Sequence, residues 1–222
     1  MPGVVRISRL GFVNCYLVPE DDGLTLVDTM IGGSGKRIVT AAEQLGAPIR
    51  RIVLTHAHGD HIGSLDRLHE LLPDAEVIIS QRDARLLKKD MSLDPGELQR
   101  KPRGTFPGAK TAPTRTVSDG ETIGSLQVIA TPGHTPGHIS LLDSRDETLV
   151  CGDAYATLGG VATSARGSRL FPLPAMASWD RATALESARR LRSLDPARLA
   201  PGHGSVVERP AAQMDAAIAR GA

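Results

Sequence analysis

Along the first half of the chain, short apolar runs alternate with segments whose apolar residues recur at helical spacing. The runs "LTLVD" (24–28), "RIVLT" (51–55) and "EVIIS" (76–80) are brief, rich in β-branched residues and bounded by polar positions, which predicts buried strands. Between the first two, "GSGKRIVTAAEQLG" puts Ile38, Ala41 or Ala42 and Leu45 on one helical face, and Gly46 stands where a helix end calls for positive φ. "HIGSLDRLHELLP" repeats the helical pattern through Ile62, Leu65, Leu68 and Leu72 and is stopped by Pro73. The first half therefore predicts β-α-β-α-β.

The second half is richer in strands. "LQVIAT" (126–131), "ISLLD" (139–143) and "TLVCGD" (148–153) follow one another across short turns. One strong helix follows in "SWDRATALESARRLRSLD", with Ser178 as its expected N-cap, and a short strand "RLA" leads into "PGHGS". This order predicts two sheets packed together with helices outside. Residues 90–118 and 154–177, rich in Gly, Pro and polar residues, predict long loops, which inside a compact domain are functional or disordered.

Length and charge narrow the partners. The 222 residues fit a single domain spanning 1–222, and a formal charge of +1 gives no sign of a polyelectrolyte partner. Aromatic residues make up 3% of the chain, leaving few platforms on which bases could stack, so no nucleic acid is expected. No charged N-terminal region precedes an apolar one and no apolar run is long enough to span a bilayer, so the expectation is no membrane and a cytoplasmic location. The two cysteines, Cys15 and Cys151, are too few for a disulfide framework, and Cys151 reads as a buried, inert thiol on the strand face shared with Asp153.

The chemistry is concentrated in "THAHGDHIGS" (55–64), where three histidines and an aspartate fall within six residues, His56 to His61. His56 and His58 can converge at a strand end, while Asp60 and His61 open the next helix and face a second point nearby. Imidazole and carboxylate together suit zinc, and also manganese or iron. Further ligand-type residues stand at later strand ends beside Gly or Pro: His134 in "TPGHTPGH", Asp153 in "CGDA" and His203 in "PGHGS". Five of the seven histidines lie in such motifs, leaving His69, read as a helix-boundary residue, and His138, read either as a support behind the metals or as a cap for "ISLLD".

This ordered set, Asp28, then His56-x-His58-x-Asp60-His61, then His134, Asp153 and His203, resembles the metallo-β-lactamase superfamily from "LTLVD" through "PGHGS". The resemblance implies an αββα sandwich, two mixed sheets with helices on the outer faces and the site at one edge. It further implies two Zn2+ ions, with Mn2+ or Fe2+ also suited: His56, His58 and His134 on one, Asp60, His61 and His203 on the other, Asp153 bridging, and Asp28 orienting a ligand histidine. The implied activity is hydrolysis of a small-molecule ester, lactone or thioester by a hydroxide held between the metals, with Asp60 carrying a proton to the leaving group.

Within the superfamily, β-lactam hydrolases usually lack an aspartate at the position of Asp153, and glyoxalase II carries a long helical C-terminal region where only nineteen residues follow His203 here. Acyl homoserine lactonases match the size and ligand set, and many place a tyrosine three residues after the bridging aspartate to bond the lactone carbonyl. Here Tyr155 comes two residues after Asp153, with Ala156 at the expected place; its other reading is a packing residue. Iron persulfide dioxygenases, nucleases of the same fold and a metal-stabilised scaffold without catalysis are the alternatives. Residues 82–115 hold nine Lys or Arg against four Asp or Glu, with Arg100, Lys101 and Arg103 grouped, and read as a solvated loop or a lid attracting an anion. Leu170, Phe171, Leu173 and Met176 are candidates for a homodimer contact.

Overall fold

In the computed structural model, which describes residues 3–221, two six-stranded sheets pack face to face. The first runs β1 (Val5–Arg9), β2 (Val13–Glu20), β3 (Gly23–Val27), β4 (Ile49–Leu54), β5 (Glu76–Ser80) and β6 (Arg115–Val117) in spatial order. It is antiparallel through β3 and parallel from β3 to β6. After β6 the chain forms β7 (Thr122–Ile123), β8 (Leu126–Ala130), β9 (Ile139–Asp143) and β10 (Thr148–Gly152). A small hairpin of β11 (Tyr155–Ala156) and β12 (Ala162–Thr163) and a short helix α5 (Leu173–Ala177) follow, so residues 154–177 are not all loop. β13 (Arg198–Pro201) and β14 (Val207–Glu208) complete the second sheet, ordered β14-β13-β10-β9-β8-β7 and antiparallel except for the β10–β13 pair.

Because side chains alternate across a strand, runs buried on both faces read as continuously apolar in sequence. Val53, Ile78, Val128 and Val150 point between the sheets. Ile52, Leu54, Val77 and Ile79 point outward onto α1 (Gly35–Gln44), α3 (Leu65–Leu71) and α4 (Asp83–Leu87). On the other side, Leu149, Cys151 and Leu199 pack against Ala188 and Leu191 of α6 (Arg181–Ser193) and Met214 and Ala217 of α7 (Ala211–Gly221). The result is the αββα layering. Strands β4, β5 and β9 fall within two residues of their predicted limits, and Gly46 has φ of 71° at the end of α1.

Three expectations are corrected. The helix predicted from His61 to Leu72 is split into α2 (Gly59–Ile62) and α3, because Gly63 lies against backbone: a Cβ there would sit 2.5 Å from Gly32 N and 2.6 Å from Gly59 O. Helix α6 is capped by Asp180, whose carboxylate accepts from Ala182 N and Thr183 N at 3.0 and 3.2 Å, and not by Ser178. Cys151 and Asp153 do not share a face. β10 ends at Gly152, with φ of 49° and a register shift against β13, so Cys151 stays in the helix-side core while Asp153 turns toward the sheet edge.

The parallel segments give the site its place. β3 and β4 end beside Asp28 and His56, and β8, β10 and β13 run alike in the second sheet and end before His134, Asp153 and His203. These strand ends meet at one edge of the sandwich. Among the described residues, no helix is long and apolar enough to cross a membrane.

Candidate metal centre

At that edge the chain assembles three overlapping groups of donor atoms that could hold a metal ion: His56, His58 and His134; His56, His61 and Asp153; and Asp60, His61 and His203. All are buried except Asp60, whose side chain is 37% exposed and faces the open side. All seven residues marked as metal-binding in the sequence are therefore brought together.

In the first group, hydrogen bonds on the outward nitrogens fix the inward ones. His134 Nδ1 lies 3.0 Å from Ser178 Oγ, which itself donates to a backbone carbonyl, so the imidazole supplies the N–H there. His56 Nδ1 is likewise 3.0 Å from Thr55 Oγ1, whose proton goes to Asp28 Oδ2 at 2.8 Å. His58 Nε2 donates to the Arg103 carbonyl at 2.8 Å. With outward protons placed, three lone pairs converge: His56 Nε2 is 3.1 Å from His58 Nδ1, which is 3.0 Å from His134 Nε2. Neutral acceptors aimed at one point repel one another, and a cation at that point resolves the conflict. Burial, with the neighbouring imidazoles adding to it, pushes His56 well below the ordinary histidine value; burial also lowers His58 and pushes His134 well down, so these rings are neutral donors at pH 7.

The second group differs in charge. His61 Nδ1 donates to Asp28 Oδ2 at 2.7 Å, and its Nε2 stands 3.3 Å from Asp153 Oδ1, neither of these last two atoms having a hydrogen-bond partner. His203 Nε2 is 3.3 Å from both Asp60 Oδ2 and Asp153 Oδ2. Burial alone would lower both histidines, but the Asp153 carboxylate, aided by Asp28 at His61 and by Asp60 at His203, raises His61 well above its ordinary value and His203 to about 9. Asp153 is held well below the usual carboxylate range: burial works against this, and His203 and His61 outweigh it. Buried donors whose pairing is incomplete, in a mixed imidazole–carboxylate set, fit divalent zinc, manganese or iron.

Several supporting residues were not read from the sequence. Asp83, fully buried, accepts from Ala57 N between two of the histidines and from Gly137 N and Thr135 Oγ1 beside His134, which ties the two ligand loops together. Burial raises its carboxyl to about 6. Asn14 Nδ2 donates to Pro201 O and Gly204 O, and Tyr16 Oη to Pro201 O, fixing the loop that carries His203. Crowded carbonyls in a Pro-Gly-His-Gly loop are the one sequence signal for such donors. His138, left between two readings by sequence, accepts the Asp153 N–H on Nε2 at 3.0 Å, and so supports the centre from behind. Ser178 supports His134 instead of capping a helix.

Tyr155 is not at the site. It is fully buried in the helix-side core, its hydroxyl donates to Ala188 O at 2.8 Å, and it points away because Gly152 reverses the expected alternation. It does not line the cleft and so cannot make the substrate contact that the sequence suggested. Burial drives the Cys151 thiol far above its ordinary value, as expected of an inert core cysteine.

Both long loops wall the centre. Thr105 O accepts from Gly59 N, and Gly104 lies so close that a Cβ would come within 2.3 Å of His58 Nε2. A cleft of about 580 Å³ opens above His58, Asp60, His134, Asp153 and His203, with Phe12, Ile31, Phe171, Leu173 and Met176 among its walls. Phe171 is buried there, Leu173 and Met176 are 56% and 59% exposed at the lip, and Leu170 is 82% exposed outside it.

Comparison with known proteins agrees with this geometry. A family model for the metallo-beta-lactamase superfamily matches residues 8–203. YobT of Bacillus subtilis (strain 168), an uncharacterized protein, is 48% identical over 207 residues, covering 93% of this chain and 89% of its own. YflN of the same organism, a probable metallo-hydrolase, is 30% identical over 218 residues, covering 90% of this chain and 81% of its own. The crystal structure of TTHA1623 in a di-iron-bound form superposes with a TM-score of 0.66 at 27% identity, covering 95% of this chain and 96% of that one.

Proposed function

The chain belongs to the metallo-beta-lactamase superfamily of metal-dependent hydrolases, and on that premise we propose that it uses two divalent cations, zinc by preference, to cleave the ester, lactone or thioester bond of a small molecule. The observation that carries the reading is the set of inward-facing donors beneath an apolar-walled cleft. His56, His58 and His134 would hold one cation and Asp60, His61 and His203 the other, with Asp153, whose oxygens lie 3.3–3.4 Å from His61, His134 and His203, able to serve either. Iron remains an alternative metal, since TTHA1623 is di-iron-bound. A mononuclear iron centre would leave Asp60, His61 and His203 without a role.

When bound, the cations would supply a nucleophilic hydroxide near neutral pH and a Lewis acid for the electrophile's oxygen. The chain's own residues do the rest. Phe12, Phe171 and Met176 receive the apolar part of the substrate and exclude water from the reacting bond. Asp60 is the most exposed of the assigned ligands and holds its carboxylate toward the cleft, where it can pass a proton to the leaving group. Asp60→Asn is expected to reduce turnover by about 100-fold or more while weakening a product analogue far less; equal losses in both would remove the proton-carrying role.

The direct test is proton release by the zinc-loaded protein with short- and long-chain acyl homoserine lactones, a simple aryl ester and an acyl thioester. Saturable, chelator-sensitive turnover of at least one class is expected. Absence of turnover with all three would refute the proposed bond class.

A further inference from the structure

Beside the metal centre lies a second cleft, of about 350 Å³, lined by Arg100, Arg103 and Arg181 together with Leu98, Ser178 and Trp179. Its walls continue those of the main cleft: Gly104 follows Arg103 and Ala177 precedes Ser178, and both line the main cleft. The same walls are tied to the metal-side histidines. Arg103 O accepts from His58 Nε2, Ser178 Oγ meets His134 Nδ1, and Trp179 N donates to His134 O at 3.1 Å. The Trp179 indole in turn donates to Arg100 O at 2.5 Å. The backbones that carry Arg100 and Arg103 are thus held in fixed relation to the reacting point.

Positive charge is in excess in this cleft, three arginines against the one carboxylate of Asp180, and among the described residues none of these arginines is in an ion pair. The loop's own acids are taken elsewhere: Glu97 pairs with Arg82 at 2.5 Å and Asp94 with Arg85 at 2.7 Å. Asp180 lines the cleft, but its carboxylate is spent on Ala182 N, Thr183 N and Thr183 Oγ1. Arg181 donates only to the Ala175 carbonyl, at 3.1 and 3.3 Å. Among the described residues, no carboxylate lies within ion-pair distance of Arg100, Lys101, Arg103 or Arg181. Three guanidinium groups beside an aromatic wall match a carboxylate or phosphate, whose oxygens accept from such planar forks.

We infer that this cleft binds an anionic group of the substrate, a carboxylate or a phosphate, while the bond to be cleaved lies at the metal centre. The inference rests on the hydrolase reading above and narrows it to acyl compounds with negative charge at one end.

Trp179 is the only tryptophan in the chain, so its fluorescence reports on this cleft without any turnover. The zinc-loaded protein is titrated with glutarate, with inorganic phosphate and with neutral glutaramide. A saturable change with an anion and none with glutaramide is expected, weakened about 10-fold or more by R100Q/R103Q, which removes two charge-assisted donors. Both side chains are exposed, and their backbone carbonyls keep their bonds to Trp179 and His58. Tighter saturation by glutarate assigns a carboxylate, and by phosphate a phosphate. No saturable change, or one undiminished in the double variant, overturns the inference. In parallel, 4-nitrophenyl butyrate is compared with its terminal-carboxylate counterpart, the glutarate monoester. A lower KM for the charged ester, lost in the double variant, is the expected result. Hydrolysis of both with equal KM overturns the anion site and leaves the hydrolase standing; hydrolysis of neither, with anion binding intact, leaves the anion site standing and counts against the ester arm of the hydrolase reading.

Discussion

Replacing Asp28 by Asn separates the two halves of the centre. Asp28 has φ of 63°, a left-handed conformation that asparagine tolerates, so the backbone is not disturbed. Its two oxygens have different duties: Oδ1 accepts from Thr55 N at 2.8 Å, and Oδ2 from His61 Nδ1 at 2.7 Å. An amide has one oxygen and can keep only one of these bonds. Turning it toward His61 orphans the buried Thr55 N–H, at a cost of about 1–3 kcal/mol. Leaving it on Thr55 points an NH2 at His61 Nδ1, which then must accept, and the imidazole proton moves to Nε2. That nitrogen is the one aimed at Asp153, so a cation could take it only if the ring proton returned to Nδ1, against the amide NH2, where the wild-type ring gives that proton to Asp28. The loss of such an outer partner typically weakens a metal about 10–100-fold, or about 1.4–2.7 kcal/mol. With the amide oxygen in the Oδ1 place, Thr55 Oγ1 can still send its proton to that oxygen, 3.1 Å away, so His56 keeps its Nε2 lone pair. His58 and His134 are untouched, and the first equivalent should be nearly unaffected. Competition against a chelator of known affinity, with bound metal counted by elemental analysis, reads both equivalents. Wild-type affinity for both would refute the role given to Asp28, and an equal loss in both would refute two separable groups.

Three further outcomes are expected. Asp83→Ala orphans buried N–H groups on Ala57 and Gly137, each costing about 1–3 kcal/mol, so it should lower Tm and weaken the first cation more than the second; calorimetric unfolding and the same metal competition check this. Zinc binding to metal-free protein near pH 7.5 should release about two protons, because His61 is held well above its ordinary value and His203 at about 9, and calorimetry in buffers of different ionisation enthalpy counts them. By the same shift, the His203 contribution to metal-free stability is fully present below pH 6.5 and is lost as pH rises through about 9, so Tm without metal should fall across that range; a Tm that rises would contradict the sign. Tyr155→Phe should cost about 1 kcal/mol of stability through the Ala188 bond while leaving kcat and KM unchanged, and a selective loss of kcat would return the residue to the site.

The ligands were legible because they stand in short motifs that follow strand ends, Asp60 and His61 on the helical turn just after His58, and strands such as "EVIIS" declare themselves by unbroken apolar runs. What orients the ligands was not. Asn14 and Tyr16 act on carbonyls nearly the whole chain away, and Asp83 joins loops brought together by the meeting of two sheets. β1 and β2 mix polar and apolar residues, and β14 is only two residues long, too short to carry a periodic pattern. Tyr155 was misplaced for a local reason. Alternation counted from β10 fails once Gly152 takes a positive φ, and the sequence shows a glycine there but not its sign. Ser178 failed similarly, since a serine before a helix can brace a distant imidazole as easily as it can cap.

The central claim is that the histidine–aspartate cluster is a two-cation hydrolytic centre. Titrating metal-free protein with zinc, while counting bound metal and following hydrolysis of one ester or thioester in the same samples, tests it most directly. Two cations per chain with turnover that rises as the second is filled are expected. Fewer than two bound cations, or hydrolysis that persists in metal-free protein, would contradict it.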